Sequence, residues 1–436
     1  MPLTLPKPHS SGFRALEPRQ PLSLSTYFPR GTQYFYGYPA GEDSGFLNQV
    51  PPAVEELVAA RPLSCAGDHV SVVSFAATSA PLISPTLLEA FAIPQQAHNQ
   101  HIVLPAKIDN KLEGAKRNAT IRESLIESAS AKSLIMAQPF TGEDMVDFYQ
   151  IPAKLIRWLN DKSTMTQYID ARFLPTRLGI YENGTAFAKE CKGLTLPFVV
   201  KAASSSAGDG VFICQTAQDL RQAVKQLRTL RTTILIEAYV EVRHNFGIHF
   251  GIPHKPSQPI DILGINEQLT TPEGEFIGGL ISSTAHPQIL SEVITYLVDE
   301  VLPQIRDMGW YGVGCFDVLA DDQGRLYFID SNFRMTGMSA YHFLVANRTL
   351  EAPLLGFSGS FAGSPKALLV HLTPYAWPAG PQKIMQLIAL NRQGKVWNFN
   401  GALLFENQVQ LRERAKQLLR AGIKSEALEQ ILRRHS

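Results

Sequence analysis

The sequence predicts an α/β protein of about two or three domains, and three observations carry that prediction. The chain has 436 residues, more than one ordinary hydrophobic core organises. From Tyr34 to Tyr149, short apolar runs that read as strands alternate with stretches of helical period. Further on, apolar runs end in polar or small-residue clusters, as where FVVK, from Phe198, enters AASSSAGDG and LYFI, from Leu326, enters DSN.

The composition, 45% hydrophobic and 18% charged, fits a folded globular chain. Forty basic and 39 acidic side chains leave a net charge of +1, without the positive field that nucleic acid or an anionic membrane favours. A small-molecule enzyme is the expectation. Cys65, Cys191, Cys214 and Cys315 are scattered with no CxxC pair, which argues against a zinc site or disulfide framework and for a reducing cytoplasm. Residues 1–30 carry prolines and charges where a signal peptide needs an apolar run, and no segment approaches the roughly 20 apolar residues that span a bilayer. The sequons at Asn118, Asn183 and Asn347 then read as chance matches.

Taken in order, residues 1–30 read as a proline-broken arm, and 31–154 as an open α/β domain. In the latter, Val54–Ala60 is helix-like, His69–Phe75 strand-like, Ser84–Ala92 helical, and His101–Pro105 and Ser133–Ala137 strands, with a turn at 138–142. Lys154–Ile169 reads as helix. Phe198–Lys201 and Val211–Cys214 are strands flanking a small-residue loop. Thr216 and Asp219 form a capping box ahead of the stripe Leu220, Val224, Leu227, and Thr233–Glu237 is the next strand. Val293, Leu297, Val301 and Ile305 mark a helix over Ser291–Met308, bent at Pro303. Gly314–Leu319 and Leu326–Asp330 form a hairpin around the turn 320–324. Residues 351–365 read as a linker or mobile loop, and 366–436 as a C-terminal segment with a strand at Ala367–Leu372 and two amphipathic helices.

Three segments could carry chemistry. Asp317, Asp330 and Asn332 can face one point, since residues two apart on a strand share a side, and oxygen donors suit Mg²⁺ with Mn²⁺ as a substitute. The plain alternative is a charged hairpin. In Phe198–Val211, Lys201 precedes Ser204, Ser205, Ser206, Gly208 and Gly210, a loop whose backbone N–H groups can wrap phosphates while the lysine adds a point charge. The alternative there is a flexible hairpin; no Walker A loop occurs. Glu237 ends an apolar strand, where its carboxylate could accept from an adenine amino group or simply face solvent.

In this order the three segments resemble the ATP-grasp superfamily, which includes D-alanine–D-alanine ligase and biotin carboxylase. The resemblance covers about residues 155–345. It implies a two-lobed module, with a central lobe at 155–240 and a metal-binding lobe at 241–350, preceded by a pre-ATP-grasp domain at 31–154. It assigns Lys162, in Asp161-Lys162, and Lys201 to the ATP phosphates, Glu237 with Tyr239 and Val240 to the adenine, and Asp317, Asp330 and Asn332 to the metal. Arg334 matches the arginine just beyond. Within the group, the SNFRMTG stretch looks most like peptide ligases of natural-product pathways, the pheganomycin type. Two departures stand out: Asp330 replaces the usual glutamate, and the ribose-binding acid falls at His244 and Asn245. Cys315 stands where D-alanine ligase has an arginine, which argues against a D-alanyl substrate.

The implied activity is ATP-dependent ligation: a carboxylate is activated as an acyl phosphate and joined to an amine, of an amino acid or peptide, with Arg334 and Lys201 as catalytic residues. A kinase or carboxylase on the same site, and a non-catalytic nucleotide-binding protein, are the alternatives. Glu267 and His286 are expected to face solvent, and no general base is assigned. Residues 366–436 either cover the site or make a homodimer contact.

Overall fold

The computed structural model describes residues 21–37, 52–75, 85–91, 101–104, 114–140, 142–191, 193–205, 208–282, 287–347, 350, 353–377 and 380–433. Residues 1–20, Ser206 and His286 thus lie outside the described residues. Among the described residues, no helix is long and apolar enough to cross a membrane.

Four parallel strands make the first sheet, in the order His101–Leu104, Ser71–Phe75, Gln33–Phe35, Leu134–Met136. Gln33–Phe35 was not foreseen; three residues are too few to show alternation, yet Tyr34 and Phe35 are fully buried. The helix Gly114–Ser128 was also unforeseen, its apolar residues being sparse. Phe35, Val73, Phe75, Leu125 and Met136 give this sheet its own core.

The expected arm is corrected over residues 21–30. Leu24, Tyr27 and Phe28, spaced as one helical turn, are buried in the main core, and the Tyr27 hydroxyl donates to Asp261 Oδ2 at 3.0 Å. Asn347 clamps both backbone groups of Leu22 at 2.7 Å. Leu24→Ala should therefore cost about 2–5 kcal/mol, read as a lowered Tm, whereas an unstructured arm would tolerate it.

The central lobe is a four-stranded antiparallel sheet, ordered Arg177–Tyr181, Ile234–Ala238, Phe198–Ala202, Val211–Cys214. Alternation sends Phe198, Val200, Ile234 and Ile236 to one face, against the helices Gly184–Glu190 and Ala217–Leu227. The second of these starts with the expected Thr216/Asp219 capping box. On the opposite face Leu235, Lys201 and Glu237 are buried at the centre, while Ile180 and Ile213 on the outer strands are 60% and 37% exposed. The helix foreseen at Lys154–Ile169 is split: Ala153–Leu159 is α-helical, and a tight 3₁₀ segment, Lys162–Gln167, restarts behind Asp161, whose carboxylate accepts from the Ser163 N–H at 2.8 Å.

A nine-stranded antiparallel sheet forms the rest. Its order is Leu326–Asn332, Gly312–Ala320, His244–Ile252, Asp261–Thr270, Phe276–Ile281, Leu354–Ala362, Val396–Leu404, Met385–Gln393, with Ile423–Lys424 also paired to Leu354–Ala362. Two expectations are corrected here. The supposed linker holds a strand, Leu354–Ala362, and Ala367–Leu372 belongs to the helix Pro365–Leu372, capped by Ser364 with Pro365 at its first position. The C-terminal segment therefore continues the sheet that carries Gly312–Ala320 and Leu326–Asn332. The terminal helices Gln408–Arg420 and Glu426–Arg433 occur as expected. The helix before Gly312–Ala320 runs from Pro287 to Asp307 with a π-helical turn at Leu297–Val301, shortly before Pro303, which has no N–H to give an α-helical bond. It covers one sheet face, Tyr296 and Phe173 lying near Phe328.

Candidate active site

Strand pairing places Asp317 opposite Asp330 and Cys315 opposite Asn332, so the two aspartates and the asparagine share the face turned away from that helix. Asn332 Nδ2 lies 3.3 Å from Asp317 Oδ2, and Gln268 Nε2 donates to Asp317 Oδ1 at 2.6 Å. Burial first, and the neighbouring Asp330 charge second, push the Asp317 carboxyl up to about 7. The two carboxylates share this buried face with the Asn332 amide, which presents its Nδ2 to Asp317; with the amide oxygen turned inward the donor set fits a hard divalent cation, which removes the like-charge conflict. A bulge lies between Asp317 and Val318, where two residues of the outer strand oppose one. It turns the Ile329 carbonyl out to accept from Lys201 Nζ at 3.3 Å.

Both expected lysines reach this strand from the central lobe. Lys162 is buried, donates to the Ser205 carbonyl at 2.8 Å and pairs with Asp330 Oδ1 at 3.2 Å. The break after Leu159, residues 160–161, is the hinge into the central lobe and aims Lys162 there; Asp161 also accepts from Ser204 Oγ at 3.3 Å, tying the hinge to the loop. Lys201 Nζ lies 2.7 Å from Glu237 Oε2, an ion pair outside the directional limits of a hydrogen bond, while Arg177 donates to Oε1 at 3.1 Å. Glu237 thus faces two cations, and its carboxylate orients them in this state. Arg177 was missed: strict period-2 alternation in RLGIY would put it with Tyr181 on the helix-covered face, and only the irregularity between Arg177 and Gly179 brings it opposite Glu237.

Ser205 points inward, its hydroxyl donating to the Ala202 carbonyl at 2.9 Å. Gly208 and Gly210 have φ of +85° and +74°, left-handed values that glycine adopts freely. A Cβ on Gly208 would lie 2.7 Å from the Gly274 carbonyl oxygen, so the loop meets the turn between the strands Asp261–Thr270 and Phe276–Ile281. Tyr239 and Val240 are half-buried in the connection between lobes. Alternation puts Asn245 on the face of Asp317, with a buried Oδ1 lacking a hydrogen-bond partner, whereas His244 stacks on Phe246 towards the other face. Arg334 is buried and contributes a positive charge that favours ionised Asp317.

Deeper on the same face, His249 Nε2 lies 3.0 Å and His342 Nε2 3.1 Å from Asn266 Oδ1. Burial drives both rings to the neutral form, pushing His249 down to about 3 and His342 well below its ordinary value. The unfolded chain binds protons below about pH 6.5 that these rings refuse, so stability falls with pH by about 1.4 kcal/mol per unit for each ring. Thermal melts should drop steadily from pH 6.5 to 5, and His342→Asn should flatten that slope.

Residues 178–332 match the family model described as L-aspartate–L-methionine ligase, ATP grasp. The small subunit of 2-oxoglutarate carboxylase from Hydrogenobacter thermophilus is 24% identical over 199 residues, 42% of this chain and 39% of that protein. The chain thus spans about two fifths of that relative's length. Among solved structures, N5-carboxyaminoimidazole ribonucleotide synthetase with ADP is similar at a TM-score of 0.54 and 13% identity, over 91% of this chain and 98% of that one. The biotin carboxylase domain of the Hydrogenobacter thermophilus 2-oxoglutarate carboxylase, with MgADP and bicarbonate, gives 0.53 and 13% over 92% of each chain. An L-amino acid ligase from Bacillus licheniformis gives 0.50 and 14% over 91% of this chain and 98% of that one. At these identities the likeness shows the fold, which is ATP-grasp.

Proposed function

We propose that this chain, an ATP-grasp protein by fold, is an ATP-dependent ligase that activates a carboxylate as an acyl phosphate and joins it to an amine. The observation that carries the reading is the meeting of lobes at one strand: Lys162 lies 3.2 Å from Asp330, and Lys201 donates to the preceding carbonyl at 3.3 Å. Two cations and an oxygen-donor trio then share one place, as a nucleotide's phosphates require.

In this reading Lys162, Lys201 and the loop from Ser204 to Gly210 hold the phosphates. The apolar Ile180 and Ile213 flank the adenine, Glu237, Tyr239 and Val240 meet its edge, and Asn245 meets the ribose. Asp317, Asp330 and Asn332 would hold Mg²⁺, which supplies neutralisation of the phosphate charge. An oxygen of the substrate carboxylate attacks the γ-phosphorus, the bond to the bridging oxygen breaks, and ADP leaves. Lys201 stabilises charge on the transferring group, and Arg334 holds the carboxylate in a planar two-point contact. The amine nitrogen then attacks the acyl carbon, phosphate leaves with the C–O electron pair, and the amine loses its proton. The loop resting against Gly274 keeps water from the acyl phosphate.

The family match makes L-aspartate and L-methionine the first pair to test. An amino-acid matrix read for phosphate release and product mass should give one or more amides with stoichiometric ADP; a stable phosphorylated product without amine would instead identify a kinase. The carboxylase relative favours one second reading, activation of bicarbonate, for which ADP formation would depend on added bicarbonate rather than on an amino acid.

A further inference from the structure

The backbone around Arg334 is held by groups from three distant parts of the chain. The Phe333 N–H donates to Asn160 Oδ1 at 2.9 Å, the Met335 N–H to the Tyr34 phenol oxygen at 3.1 Å, and the Thr336 N–H to Ser339 Oγ at 2.8 Å. Ser339 Oγ lies 3.3 Å from His249 Nδ1, which connects the turn to the buried Asn266 and His342. Asn160 belongs to the hinge before the central lobe. Tyr34 comes from one of the two inner strands of the N-terminal parallel sheet. Arg334 is thus flanked by one peptide fixed by the hinge and another fixed by the N-terminal domain.

We propose that Tyr34 is a positioning residue: its hydroxyl fixes the Met335 peptide and so sets the direction in which the Arg334 guanidinium is presented. This rests on the reading of Arg334 as the carboxylate-binding group. A two-point guanidinium contact tolerates little error in position, and a long side chain is directed only as well as the backbone beneath it. One face of the sheet holding Tyr34 packs into the same core as the large sheet, so the contact also makes carboxylate binding depend on that packing. The ring itself packs against Phe28 at 5.6 Å, so Tyr34→Phe removes the hydroxyl and keeps the packing.

Two measurements on the full chain test this. Hydrogen exchange, followed on the peptide covering 333–338, should accelerate about tenfold or more at the Met335 amide in Tyr34→Phe; unchanged exchange overturns the proposal. In steady-state assays with an equimolar mixture of the twenty L-amino acids, Tyr34→Phe should raise the apparent KM for the mixture about five- to tenfold and leave the KM for ATP unchanged. Combined with Arg334→Ala, the same substitution should have no further effect, because the group it positions is gone. Equal effects of Tyr34→Phe in both backgrounds overturn the positioning role. If Arg334→Ala alone leaves the KM for the mixture unchanged, the reading of Arg334 fails instead, and the exchange result still decides the Tyr34 contact.

Discussion

Asp317→Ala is expected to lower ADP formation about 10²-fold or more at saturating ATP and Mg²⁺, the scale on which other stabilisers of transition-state charge act. Asp317 sits at the centre of the set: it lies opposite Asp330 in the strand pair and accepts from the amide nitrogens of Gln268 and Asn332. Loss of fold would be a trivial cause, and the electrostatics separate the two. Asp317 has its carboxyl raised in the folded state by burial and by Asp330. Its contribution to stability is therefore present at low pH and lost as pH rises through about 7. Removing it takes away that high-pH penalty, so the variant should melt at pH 8 no lower than the parent without metal. Asn332→Ala should lose turnover similarly. Near-normal ADP formation by either variant would remove the metal assignment.

Lys201→Met is expected to lower turnover by about 10²-fold or more as well, and in addition to raise the KM for ATP. Its ammonium sits between Glu237 at 2.7 Å and the Ile329 carbonyl at 3.3 Å, buried on the face where the phosphates are placed. The Glu237 carboxylate keeps Arg177 at 3.1 Å, so the variant does not leave that acid without a counter-charge. Lys201→Arg should restore little, since a planar fork cannot occupy the place of a compact ammonium between two fixed oxygens. An unchanged KM for ATP in Lys201→Met would detach this lysine from the nucleotide.

What could be read from the sequence were the groups whose neighbours in sequence carry the signal. Asp330 and Asn332 follow an apolar run, and Lys201 ends one just before a glycine-containing loop; strand periodicity then states which side each faces. The convergence of Lys162 on Asp330 came only through resemblance, because 168 residues separate them and no local pattern spans that distance. Arg177, Gln268 and Tyr34 were missed for the same reason: each matters through one partner that pairing brings near. The fold erred where elements are very short or glycine-rich. Gln33–Phe35 has too few residues for a period, and Leu354–Ala362 carries glycines and serines that suggest a linker, although the sheet on either side supplies its hydrogen bonds. The buried turn at Leu24–Tyr27 shows that flanking prolines do not exclude a core segment when three apolar residues align.

The most direct measurement follows oxygen. The full chain would be given ATP, Mg²⁺ and an amino-acid mixture labelled with ¹⁸O in the carboxylates, and the released phosphate would be weighed. Activation as an acyl phosphate transfers one labelled oxygen from carboxylate to phosphate for each amide formed. Amide or ADP appearing with unlabelled phosphate would contradict it.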